Sequence, residues 1–211
     1  MKTDRARPYA LAAGIAAVVA LGVTGYFALF PGAEADPFAD CRSGQVAGGV
    51  ATIGGPFELV NGAGAPETDK EAITGPTLVY FGYSFCPDIC PTDLSRNALA
   101  ADELAEKGIR VGQVFISVDP ARDTPEVVRD FTRSIHPDLI GLTGTPEQVA
   151  RVARDYKIYY RKAGDDPETY LMDHSTFTYL MAPGGKFLEF YGSDALPEQV
   201  ADSVACFAEK S

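Results

Sequence analysis

The sequence predicts an α/β fold: a central mixed sheet covered by helices on both faces, preceded by one N-terminal transmembrane helix. Three observations carry that expectation. From residue 56 onward, apolar runs of strand length alternate with segments of helical spacing. The last two strand-like runs flank Pro183-Gly184-Gly185, a hairpin signal that adds antiparallel strands to a mainly parallel sheet. Residues 9–30 are uncharged and rich in Ala, Val, Leu and Gly. As a helix they reach about 33 Å at roughly 1.5 Å per residue, enough to cross a hydrocarbon core of about 30 Å.

Taken in order, residues 1–8 carry Lys2, Arg5 and Arg7, while Glu34, Asp36 and Asp40 come after the apolar stretch. The positive-inside rule keeps the short N-terminus cytoplasmic and exports the remainder of the chain. Ala33-Glu34-Ala35 also resembles a signal-peptidase site. A signal core of about 7–15 residues is shorter than this stretch, so length favours an uncleaved anchor; both readings export the domain. Residues 31–52, rich in Gly, Ala and acids, form a tether, and residues 53–211 suit one domain with one core.

Within that domain, residues 56–60 before Asn61-Gly62 read as a strand and turn, and 77–83 as a buried strand. Leu94, Ala98, Leu99, Ala101 and Leu104 mark a helix over 93–107, with Gly108 as its stop. Residues 110–118 form a strand. Asp123 or Thr124 caps a helix with Pro125 and Glu126 in its first turn. Residues 139–142 are a short strand, a helix runs from Thr145 towards Tyr156, and 162–167 is a charged loop. Strands at 175–181 and 186–191 and a helix at 197–208 complete the chain. This is the order of a thioredoxin-like sandwich.

Formal net charge is −11, with basic residues scattered along the chain. Such a surface repels phosphate backbones, which excludes a nucleic-acid partner. Export changes how the four cysteines are read: they are expected paired, catalytic or metal-bound. Cys41 and Cys206 are isolated in sequence and suit a structural disulfide between the N-terminal segment and the last helix. Closing so long a loop contributes roughly 4–5 kcal/mol in the chain-entropy treatment.

Cys86 and Cys90 lie in Cys86-Pro87-Asp88-Ile89-Cys90-Pro91, directly after the 77–83 strand. Pro91 suits the first turn of a helix, which places Cys90 at or beside the N-cap, where free N–H groups favour a thiolate. Cys86 is one turn earlier, about 6 Å away along the axis. Both sulfurs can therefore face one point, bonded to each other as a redox-active pair or to a shared metal. A permanent disulfide across so short a loop would contribute little.

Of the two histidines, His136 sits in a polar turn and is expected to be exposed without a role. His174 begins the 175–181 strand. A lone histidine there is more often structural than a ligand. In a thioredoxin-type sheet, however, this strand start faces the cysteine turn, where thioredoxins carry a cis-proline. No proline occurs between Pro167 and Pro183. Two thiolates and one imidazole suit a soft ion; zinc and iron–sulfur clusters want more ligands, which leaves copper.

At this point the residues resemble the Sco/SenC family of copper-binding proteins that assist cytochrome c oxidase assembly. The resemblance rests on Gly54-Gly55-Pro56-Phe57, Tyr80-Phe81-Gly82-Tyr83 with the cysteine motif, Val118-Asp119-Pro120-Ala121-Arg122-Asp123-Thr124-Pro125, and Asp173-His174-Ser175. It implies a copper site of Cys86, Cys90 and His174, with Asp119 as a supporting residue, taking Cu(I) or Cu(II). It further implies a partner, oxidase subunit II or another copper-relay protein, and a periplasmic domain on the bacterial inner membrane. Beside metallochaperone action it allows thiol–disulfide exchange on that subunit's cysteines, or redox sensing. Peroxide reduction is disfavoured, since no Thr-x-x-Cys motif precedes either cysteine.

Overall fold

The computed structural model describes Gly22 and residues 37–42 and 53–210. The expected membrane span at 9–30 lies outside these, apart from Gly22, as does most of the tether. Among the described residues no helix is long and apolar enough to cross a membrane.

The elements are β1 (Glu58–Asn61), β2 (Pro66–Thr68), α1 (Asp69–Ala72), β3 (Thr77–Gly82), α2 (Ile89–Glu106), β4 (Gly112–Ser117) and α3 (Pro125–Ile135). They continue with β5 (Leu139–Thr143), α4 (Pro146–Asp155), β6 (Tyr160–Ala163), β7 (Leu171–His174), β8 (Thr178–Ala182), β9 (Lys186–Tyr191) and α5 (Pro197–Glu209). Among the described residues, seven strands form one mixed sheet in the order β2-β1-β5-β4-β3-β8-β9. β3, β4 and β5 run parallel, while β8 lies antiparallel to β3 with Tyr80 opposite Thr178.

Every residue of β3 is buried, which is why the strand reads as a continuous apolar run. Side chains alternate across it. Val79 and Phe81 join a cluster with Val152 and Tyr156 of the α4 region. Leu78 joins Leu104 of α2 and Val204 and Phe207 of α5, whereas Tyr80 joins the cluster that contains both Cys86 and Cys90. Helix starts follow local chemistry. Thr124 Oγ1 accepts from Val127 N–H, and Thr145 and Gln148 form a reciprocal capping box. Gly184 and Gly185, at φ 78° and 74°, make the β8–β9 turn, a geometry costly for residues with a Cβ.

Three expectations are corrected. The helix expected at 93–107 starts at Ile89, because Pro91 is accommodated in the first turn, where its missing N–H leaves no bond unmade. The charged stretch at 162–167 is not all loop. Tyr160–Ala163 pairs antiparallel with Leu171–His174 in a separate two-stranded ribbon. His174 therefore ends β7 and does not begin the sheet strand, which starts at Thr178.

Phe38–Arg42, assigned by sequence to the tether, packs into the α5 cluster. Phe38 lies 5.3 Å from the Phe207 ring, and Cys41 is bonded to Cys206 with Cα atoms 5.7 Å apart.

Candidate metal centre

Three donor atoms meet at the C-terminal edge of β3. Cys86 lies in the turn that leaves the strand, its N–H donating to the Tyr83 carbonyl. Cys90 sits in the first turn of α2, and His174 closes β7. The two sulfurs and an imidazole nitrogen all lie within 4.8 Å of one another. His174 Nδ1 donates to the Ser175 carbonyl at 2.8 Å, which leaves the Nε2 lone pair 3.4 Å from Cys90 Sγ. Tyr80 and Tyr83 stand edge-on to the imidazole, at 6.3 and 5.7 Å between centroids, and hold its plane. Gly82 completes the floor: a Cβ there would meet Cys90 Sγ at 2.8 Å.

The two sulfurs are unequal. Cys90 N–H donates to Cys86 Sγ at 3.3 Å, so the helix start stabilises charge on Cys86. The Cys86 thiol is lowered to about 4, chiefly by a hydrogen bond from Cys90 and further by backbone N–H groups, against the effect of burial. Cys90 is fully buried, and burial, followed by the neighbouring Cys86, pushes its thiol well above the ordinary range. This reverses the expectation that Cys90 is the favoured thiolate. The cause is that Cys90 lies inside the helix and donates its amide to its partner. Both thiols are free. Cys86 and His174 line an open cleft of about 290 Å³ with Tyr83, Ile89, Met172 and Thr176, and Cys90 lies beneath it.

Asp119 stays outside the sulfur–imidazole group. Its carboxylate accepts from the Tyr170 hydroxyl and from Arg122, both at 2.6 Å. Arg122 in turn covers the Tyr170 ring at 3.6 Å and the Phe85 ring at 4.8 Å. Asp119 thereby steadies the aromatic wall beside the cysteines without touching them. Sequence reasoning missed Asp123. Instead of capping α3 it turns inward and accepts from Ser117 Oγ, Ser84 Oγ and Ser84 N–H. It thus pins the turn two residues before Cys86. It also missed Asp93, which sits one turn after Cys90 on the same helix face. Asp93 accepts from Ser193 at 2.9 Å and lies 3.3 Å from the buried Arg96. His136 lies away from the group. It is half-buried, accepts Asp138 N–H on Nδ1, and has Asp102 at 3.2 Å from Nε2.

The SCO1/SenC family model matches residues 46–209 of this chain. The chain belongs to the SCO1/SenC family. It is 55% identical over 202 residues to Protein SenC of Rhodobacter capsulatus, covering 95% of this chain and 90% of that protein. It is 45% identical over 157 residues to the mitochondrial SCO1 homolog 1 of Arabidopsis thaliana, covering 74% of this chain but only 47% of that relative. Among solved structures, Arabidopsis thaliana ScoI with copper bound aligns with a TM-score of 0.71 at 43% identity. That match covers 74% of this chain and 99% of that one. The described fold of this family member is thus the thioredoxin-like one, with a soft three-donor group at the end of the β3 strand.

Proposed function

We propose that this protein is a membrane-anchored copper metallochaperone that carries the ion on Cys86, Cys90 and His174. The observation that carries this reading is the convergence of two sulfurs and one imidazole nitrogen within 4.8 Å, beside a cleft open to a partner. Thiolate and imidazole suit copper in both oxidation states, and a family relative has been solved with copper bound. Cys86 gives the incoming ion an anionic sulfur at neutral pH, whereas Cys90 releases its proton as the ion binds. Residues 9–30 hold the domain at the bacterial inner membrane on the periplasmic side. The recipient is the binuclear copper centre of cytochrome c oxidase subunit II, or another relay protein.

A second reading rests on the unequal thiols. Cys86 as thiolate attacks a partner disulfide. Cys90 then displaces the mixed disulfide, leaving a Cys86–Cys90 disulfide here and two thiols on the partner. Anaerobic copper titration of the reduced protein, wild type beside His174→Ala, separates the two. Metal transfer requires His174, so its loss is expected to abolish stable Cu(II) binding while Cys86–Cys90 redox cycling continues. Unchanged copper affinity in that variant would remove the imidazole from the site.

A further inference from the structure

Beneath the sulfur pair are two buried polar atoms without hydrogen-bond partners. Tyr80 is fully buried, and its hydroxyl is unpaired; Asp93 is 1% exposed, and its Oδ1 has no hydrogen bond, only the ion-pair contact of Arg96 at 3.3 Å. Burial pushes the Tyr80 hydroxyl well above the ordinary phenol range, and the Cys90 sulfur and then the Asp93 carboxylate push it the same way. Gly82 shows how close they are: one Cβ there would meet both Cys90 Sγ, at 2.8 Å, and the Tyr80 ring edge, at 3.0 Å. Asp93 is itself held by Ser193 and faced by Arg96, which is pinned to Thr178 and the Gly192 carbonyl.

A buried, unpaired hydroxyl costs about 1–3 kcal/mol and calls for a state of the site that satisfies it. A neutral thiol is a weak acceptor, but a thiolate is a strong one. Cys90 becomes a thiolate when it takes a metal. We propose that Tyr80 is a positioning residue of the metal centre, its hydroxyl donating a hydrogen bond to the metal-bound Cys90 sulfur, with Asp93 as the competing acceptor. This rests on the copper reading above. The bond draws electron density from the sulfur, so it favours Cu(I) over Cu(II) and raises the energy of the sulfur-to-Cu(II) charge-transfer band.

The test compares wild type, Tyr80→Phe and Asp93→Asn in the reduced protein loaded with Cu(I) or Cu(II). Tyr80→Phe deletes only an unpaired hydroxyl, so its unfolding midpoint is expected at or above wild type. It is expected to shift the charge-transfer band to lower energy and to raise the Cu(II)-to-Cu(I) affinity ratio about tenfold, the size of one charge-assisted hydrogen bond. Asp93→Asn weakens the competitor and is expected to move both readings the other way. A band and affinity ratio identical to wild type in both variants would overturn the role of Tyr80. No charge-transfer band in wild type itself would instead overturn cysteine ligation.

Discussion

Two sulfur pairs share this scaffold, and their surroundings separate them. Cys41 and Cys206 stand 165 residues apart and are bonded beside the tilted ring pair of Phe38 and Phe207. Cys86 and Cys90 stand four apart, are free, and meet an imidazole and a helix N-terminus. In the chain-entropy treatment the first linkage stabilises the fold by about 5 kcal/mol, and the second could contribute only about 2 kcal/mol. The long-range pair holds structure. The short-range pair gains little from bonding and is left free for chemistry. Loop length and neighbouring dipoles, not the sulfur atom, set the role.

Removing the structural pair is the largest perturbation expected. The double variant Cys41→Ala, Cys206→Ala should lose about 2–5 kcal/mol in urea unfolding. Its copper stoichiometry should remain that of wild type. Loss of copper binding in a folded double variant would mean that the two regions are coupled.

Asp123→Ala probes the other region. It strips Ser84 and Ser117 of their buried acceptor, at an expected cost of about 1–3 kcal/mol. It should also loosen the turn before Cys86, seen as an upward move of that thiol's titration. Unchanged Cys86 titration in this variant would disconnect the Asp123 anchor from the site.

The pH behaviour stems from the unequal thiols. Cys86 titrates at about 4 in the folded reduced protein, against roughly 8.5 in an unfolded chain. Between those values the unfolded state binds the extra proton, so stability rises with pH from about 4 to about 8.5 and is lost on acidification. Cys90, shifted upward, works against stability above the ordinary thiol range. Ultraviolet thiolate absorbance should persist down to about pH 4 and vanish in Cys86→Ser. A single titration near the ordinary thiol value of about 8.5 in wild type would contradict the inequality. The smallest effect is expected from Arg161→Ala. Its 2.7 Å pair with Asp173 is exposed and contributes under about 1 kcal/mol to the β6–β7 ribbon.

These contrasts mark what was readable from residues alone. The buried β3 strand, the Thr145 cap and the Gly184-Gly185 turn arise from local patterns, and each appears where periodicity or turn chemistry places it. The β6–β7 ribbon does not, because Tyr160–Ala163 and Leu171–His174 are short, exposed or half-buried apart from Met172, and become strands only by pairing with each other. At the site, cysteine spacing and the missing proline pointed to Cys86, Cys90 and His174. Tyr80 was hidden in an apolar run that looks like core. Asp93, three residues after Cys90, could have been found from helix geometry. Asp123 could not. A cap and an inward-turned anchor look alike until Ser84, 39 residues away, is folded against it.

Copper-edge X-ray absorption on the reduced, copper-loaded protein tests the central claim most directly. The account predicts two sulfur scatterers and one imidazole nitrogen in wild type, with the nitrogen lost in His174→Ala and the Cys41–Cys206 bond intact throughout. A first shell without two sulfurs, or one unchanged in His174→Ala, would contradict it.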